Sequence, residues 1–196
     1  MRAAPAPLPR HAGREARPDA ELLSAVASGD LGALGDLYDR YHADIWRLVH
    51  RMTDGSGEVD DIVQATFLAL PRLATVFDGR DSCRAWLCGI AVGLAARQRR
   101  GVARLLRRIA SFGEMTPTTT TADPEREAGA REELRAFERA LARLPWKKRE
   151  AFVLVELEGL SMAEVAHALR VPAGTVRTRL FHAKRELRQV LARGDR

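Results

Sequence analysis

Ser161 to Leu191, SMAEVAHALRVPAGTVRTRLFHAKRELRQVL, constrains the fold of this chain more than any other stretch. Ser161 and Glu164 have the spacing of a capping box, in which hydroxyl and carboxylate satisfy each other's backbone donors at a helix start. The helix they open runs through Val165 and Leu169 and then meets Arg170, Val171 and Pro172. Proline disfavours helix in the residue before it and suits the first turn of a new one. A second helix is therefore expected from Pro172, with Val176, Leu180, Ala183, Leu187 and Val190 recurring at helical steps on one buried stripe. Arg177, Thr178, Phe181, Lys184, Arg185 and Arg188 fall on its other face.

Two helices joined by a tight turn, the second basic and hydroxyl-bearing on its outer side, have the layout of a helix-turn-helix DNA reader. Arginine suits that task because its fork bonds guanine bidentately, while scattered lysines and arginines neutralise phosphates. An ordinary helical hairpin with a solvated charged face has the same charges. Capping, turn and charge asymmetry coinciding in one stretch favour DNA reading.

Composition narrows the partners. The 196 residues have room for one large domain or two small ones. With 32 Lys and Arg against 26 Asp and Glu, the chain carries a formal charge of +6, which favours nucleic acid or another acidic partner. Cys83 and Cys88 stand alone without a metal-spaced histidine and are expected as reduced, small apolar residues. His42, His50, His167 and His182 are dispersed, and no glycine-rich phosphate loop is present. No metal, no cofactor and no enzyme activity are expected. No apolar run reaches the length of a membrane span and the N-terminus lacks a secretory core, so a soluble, cytoplasmic protein is expected.

Upstream, residues 1–18 hold four prolines and little to bury, and are expected to form a disordered basic tail. Asp19 is placed as the cap of a short helix through Leu22, Leu23 and Val26 that Gly29 closes. A long helix from Asp30 follows, with Leu31, Leu34, Leu37, Tyr41, Ile45, Leu48 and Met52 inward, broken at Thr53 to Gly57. The next helix has Glu58, Asp60 and Asp61 in its first turn and Val63, Phe67 and Leu70 inside, which leaves Asp60, Asp61 and Gln64 as an outward patch. Helix-start electrostatics alone also accounts for those acids. After Pro71, a loop from Ala74 to Ser82 carries Phe77 and Arg80. Asp81 is placed as the cap of a helix with Trp86 and Ile90 in the core. That helix ends in six arginines within residues 97–108, among them Arg97, Arg99 and Arg100. Their mutual repulsion is relieved by a phosphate backbone or, more simply, by solvent.

TPTTTTADP marks a linker, after which Asp123 and Pro124 begin a helix with Leu134, Phe137, Leu141 and Leu144 inward. The expected fold is all-α: two small helical bundles joined by a flexible linker, the second containing the helix-turn-helix. The expected boundaries are 1–18 for the tail, 19–109 for the first domain, 110–122 for the linker and 123–193 for the second domain.

LPWKKREAFVLVELEGLSMAEVAHALRVPAGTVRTRLFHAKRELRQVL resembles the −35-reading domain of the extracytoplasmic-function group of bacterial sigma-70-type sigma factors. LYDRYHADIWRLVHRM, VDDIVQATFLALPRL and RAWLCGIAVGLAARQRR resemble the successive blocks of that family's polymerase-docking and −10-handling domain. The resemblance implies a non-enzymatic promoter-specificity subunit that binds core RNA polymerase through the β′ clamp helices and the β flap, and binds promoter DNA. It places Thr175, Arg177, Thr178, Arg179, Phe181 and Lys184 on the −35 element, and Phe77, Arg80, Arg97, Arg99 and Arg100 on the −10 element and backbone. Asp60, Asp61 and Gln64 fall on the block that docks on polymerase. An anti-sigma factor is a further partner that the resemblance implies. Val92-Gly93 stand where the family usually carries Arg-Asn, and Arg97 falls near its usual Asp, so the base contact of that Asn has no side chain here. A helix-turn-helix regulator acting without core polymerase is the alternative that the C-terminal stretch alone allows.

Overall fold

In the computed structural model, Gly29 adopts φ +92°, a left-handed turn that ends α1 (Asp19–Ala27) and lets the chain fold back at once. The model describes residues 17–53, 58–79, 82–110 and 130–194, and every regular element among them is helical. The tail before Arg17, the break at 54–57, Arg80, Asp81, the threonine-rich stretch and Asp123-Pro124 lie outside the described residues. Leu22, Leu23 and Val26 bury α1. Asp19 does not cap it: Pro18 holds the cap position, and the Asp19 carboxylate instead accepts from the Tyr41 hydroxyl and pairs with Arg40. A first-turn acid with two donors on the next helix is satisfied across the interface rather than along its own backbone. Asp30 does the capping for α2 (Leu31–Thr53), its Oδ1 accepting from the amides of Gly32 at 2.8 Å and Ala33 at 3.1 Å. The inward stripe of α2 runs through Ala33, Leu37, Ile45, Leu48, Val49 and Met52. Leu31, expected inside, is 76% exposed, because it is the first helical residue and the packed stripe starts a turn later.

Val59, Ile62, Val63 and Phe67 bury α3 (Val59–Leu68) against α2. Pro71 sits in the first turn of the short α4 (Leu70–Leu73), which runs into a 3₁₀ turn over Ala74–Val76. The Ser82 hydroxyl accepts the Ala85 amide at 3.2 Å at the start of α5 (Cys83–Ala110). Leu87, Cys88, Ala91, Val92 and Ala95 form its inner face. Cys83 and Cys88 are free and buried, and burial pushes each thiol up to about 12, so both behave as apolar filler. Trp86 and Ile90 are half-buried at the margin of the core.

The second bundle consists of α6 (Ala130–Arg143), α7 (Trp146–Phe152), a π-helical turn over Val153–Leu157, α8 (Met162–Leu169) and α9 (Ala173–Gly194). The two bundles pack on each other. Glu158, whose side chain is 2% exposed, receives Arg51 from α2 and Arg84 from α5, each at 2.7 Å, and Arg84 also donates to the Glu158 carbonyl at 2.8 Å. Arg149 of α7 donates to the Met52 carbonyl at 3.0 Å, and the Ser82 hydroxyl donates to Glu164 at 2.8 Å. Gly89 is what lets α5 approach α8: a Cβ there would stand 2.9 Å from the Ala168 carbonyl oxygen and 3.0 Å from its Cβ.

Candidate nucleic-acid interface

The helix-turn-helix forms as its local chemistry dictates. The Ser161 hydroxyl accepts the Glu164 amide at 3.2 Å, and the Glu164 carboxylate accepts the Ser161 amide at 2.9 Å. Those donors, with the Ser82 hydroxyl, hold the Glu164 carboxyl below its ordinary value. α8 ends at Arg170 in the left-handed region, φ 53°, and the Val171 amide closes the turn on the Ala166 carbonyl at 2.9 Å. α9 then buries Val176, Leu180, Ala183 and Leu187 against α7, and at about 1.5–3 kcal/mol for each large side chain this stripe fixes the helix in place.

The opposite face of α9 is free for a groove. Arg177, Thr178, Phe181, Arg185 and Arg188 are exposed, and Phe181 shows 63% of its surface. The Thr178 hydroxyl donates to the Gly174 carbonyl at 3.0 Å, leaving its lone pairs outward. Thr175 is half-buried at the helix start. Two of the expected contact residues are engaged within the protein: Arg179 donates to Glu150 at 2.9 Å, and Lys184 pairs with Glu156 at 2.8 Å. Burial raises the Glu150 carboxyl above its ordinary value, and Lys147 and Arg179 oppose that rise.

On the first bundle, Asp60, Asp61 and Gln64 are exposed together on α3, and Leu68 continues their face at 61% exposure. Trp46 of α2 donates its indole N–H to Asp60 at 3.0 Å and stacks on His50 at 5.0 Å. Tyr38 packs between His42 at 4.6 Å and Phe67 at 4.9 Å. Burial lowers the pKa of His42 against the pull of Asp60 and Asp39. The role of Trp46 escapes sequence reasoning because Asp60 lies 14 residues away on another helix; Leu68, by contrast, is visible one turn beyond Gln64.

Phe77 rests against Trp86 with ring centroids 5.2 Å apart. Both line an open cleft of about 820 Å³ between the bundles, with Arg97 and Arg100 on one side and Lys147 and Arg170 on the other. Gly93 also faces it, with no atom within 4 Å of where its Cβ would be. Arg97, Arg99 and Arg100 are exposed, and the Arg99 guanidinium lies 5.4 Å over the Trp146 ring. Positive charge and aromatic faces together suit an unpaired nucleic-acid strand. Among the described residues, no group of His, Cys, Asp and Glu could hold a metal ion, and no helix is long and apolar enough to cross a membrane.

Comparison with known proteins bears on both bundles. Residues 37–112 match the family model described as Sigma-70 region 2, and residues 134–187 match Sigma-70, region 4. The chain is 34% identical over 183 residues to the ECF RNA polymerase sigma factor SigM of Mycobacterium tuberculosis, covering 91% of this chain and 87% of that one. It is 31% identical over 175 residues to the RNA polymerase sigma factor NccH of Alcaligenes xylosoxydans xylosoxydans, covering 88% and 94%. Among solved structures it is similar to CnrH in complex with the cytosolic domain of CnrY, with a TM-score of 0.63 and 26% identity over 91% of this chain and 98% of that one. The sigma factor RpoE of Bartonella quintana, solved with the anti-sigma factor NepR, shares the fold at a TM-score of 0.65 and 21% identity, covering 80% and 97%.

Proposed function

The chain belongs to the extracytoplasmic-function group of the sigma-70 family of RNA polymerase sigma factors, and on that premise we propose how its two bundles divide promoter recognition. A sigma factor binds core RNA polymerase and directs promoter-specific initiation; it is not an enzyme, and its work is done by binding. In the proposal, residues 19–109 dock on core polymerase and handle the −10 element, and residues 123–193 read the −35 element across the linker at 110–122.

The face of α9 carries the −35 assignment. Arg177, Thr178 and Phe181 stand exposed on a helix whose other side is buried, so a base-reading surface is presented without reorganisation. Asp60, Asp61 and Gln64 form the polymerase-docking patch, oriented by Trp46 and extended by Leu68, a charged rim beside an apolar anchor. The cleft beside Phe77 and Trp86 receives the opened −10 strand, with Arg97, Arg99 and Arg100 on its phosphates. A protein partner of the anti-sigma kind that competes for the same cleft belongs to this proposal.

The two elements lie about 25 base pairs apart, roughly 85 Å of B-form DNA at about 3.4 Å per step. A compact chain of this length has a radius of gyration of about 16 Å. The packed bundles must therefore separate for both elements to be held at once.

Two substitutions test the division. Asp61→Arg reverses the docking patch and is expected to weaken core binding by about tenfold or more. Phe181→Ala leaves core binding intact and weakens promoter binding by the holoenzyme. Fluorescence titration against core polymerase and against promoter DNA separates the losses, and their exchange between the two variants contradicts the division.

A further inference from the structure

Arg179 stands on the wrong side of α9 for a groove contact. At about 100° per residue, Arg179 and Phe181 point about 160° apart around the helix axis. The exposures follow that phase: Arg177, Thr178, Phe181, Arg185 and Arg188 are exposed, whereas the Arg179 side chain is only 20% exposed and flanks the buried stripe of Val176, Leu180 and Ala183. Its Nη1 donates to Glu150 Oε1 at 2.9 Å. Glu150 belongs to α7 and is 1% exposed, with Lys147 at 3.3 Å as a second cation. A guanidinium that left Glu150 for a base would strand a buried carboxylate, and breaking such a pair costs more than one base contact returns.

We propose that Arg179 is a positioning residue, fixing through Glu150 the roll of α9 against α7, and that −35 reading falls to the opposite face, centred on Phe181 and Arg185. This rests on the assignment of α9 to the −35 element. Roll matters at the scale of base recognition: turning a helix by about 20° moves atoms at its outer radius of roughly 5–6 Å by about 2 Å. A displacement of that size breaks a hydrogen bond. The Lys184–Glu156 pair stitches the other flank of the same stripe, but Lys184 is half exposed and has reach to spare.

The test uses the full chain with core polymerase and a promoter library randomised through the −35 element. The variants are Arg179→Met and the double variant Glu150→Leu with Arg179→Met, each checked for folding by circular dichroism. Replacing both partners of a buried pair by apolar side chains of similar size preserves packing, whereas removing one does not. The single variant is expected to bind about tenfold or more weakly, with preference flattened over several adjacent positions. The double variant, which has no guanidinium at this place, is expected to recover the wild-type preference at every position and the wild-type salt dependence.

Loss of discrimination at a single base pair in the double variant would make Arg179 a base reader and overturn the proposal. A salt slope shallower by about one would make it a phosphate contact, with the same consequence. Arg179→Met that melts earlier but, once folded, binds as the wild type would also overturn it, because stability alone would then be at stake. If the apolar double variant fails to fold, Glu150→Gln with Arg179→Gln provides the same comparison with a neutral hydrogen-bonded pair. A wild-type holoenzyme that enriches no −35 sequence would remove the −35 assignment itself, an outcome distinct from any difference between variants.

Discussion

Gly89→Ala changes sign according to whether the two bundles pack. In an exposed helix interior, alanine is favoured over glycine by about 1 kcal/mol. Gly101, on the same helix, provides that reference, because nothing lies within 4 Å of its would-be Cβ. At Gly89 the added methyl meets the Ala168 carbonyl oxygen at 2.9 Å and the Ala168 Cα at 3.1 Å. These are largely backbone atoms of a helix held by its own capping box, so they do not yield cheaply. Overpacking of this kind costs about 1–3 kcal/mol, which cancels or exceeds the gain in helix propensity. If α8 instead lifts off α5, the cost becomes the lost contact between bundles rather than the clash. Either way, Gly89→Ala falls about 1–3 kcal/mol below Gly101→Ala in urea unfolding of the full chain. Hydrogen exchange in α8 should also quicken in Gly89→Ala alone. Equal stabilisation by the two substitutions would refute the packing of α5 on α8.

Arg170→Gly is expected to stabilise the chain by about 0.5–1 kcal/mol in thermal unfolding, because a non-glycine residue at φ 53° is strained. Glu164→Gln should destabilise the chain at neutral pH. The carboxyl is held below its usual 4.5 by the Ser161 amide and the Ser82 hydroxyl, so its contribution is complete above that value and lost as pH falls through the lower folded pKa. The difference between variant and wild type should therefore vanish in strong acid, as urea midpoints across pH will show. Gly93→Asn fits the cleft without a clash and is expected to add a base preference within the −10 element, read by mapping transcript starts; an unchanged profile would count against a reading role for this position.

Local signals were legible and distant ones were not. The capping box of Ser161 and Glu164, the turn at Arg170 to Pro172 and the stripe from Val176 to Leu187 lie within one turn or one helix of their partners, and each stands where its pattern places it. The same holds for Gly29 and for the outward set Asp60, Asp61 and Gln64. Asp19 shows where that logic stops, since the donors that claim its carboxylate sit on α2, 21 and 22 residues along. Arg179 and Lys184 look like groove residues when α9 is read alone. Their partners Glu150 and Glu156 are acids of an earlier segment whose facing depends on how α7 crosses α9. The approach of the bundles is harder still to foresee, because its main sequence trace is an absent side chain at Gly89 and one acid, Glu158, that two distant arginines share.

The most direct test is promoter binding and run-off transcription by the purified chain with and without core polymerase, on templates from mapped start sites. Tight, specific binding and a discrete transcript that both require core enzyme are the expected result, with protection of two elements about 25 base pairs apart, the −10 and −35 sites of one duplex. Equally tight binding to the same DNA without core enzyme, or no promoter-specific transcript from any template, would contradict it.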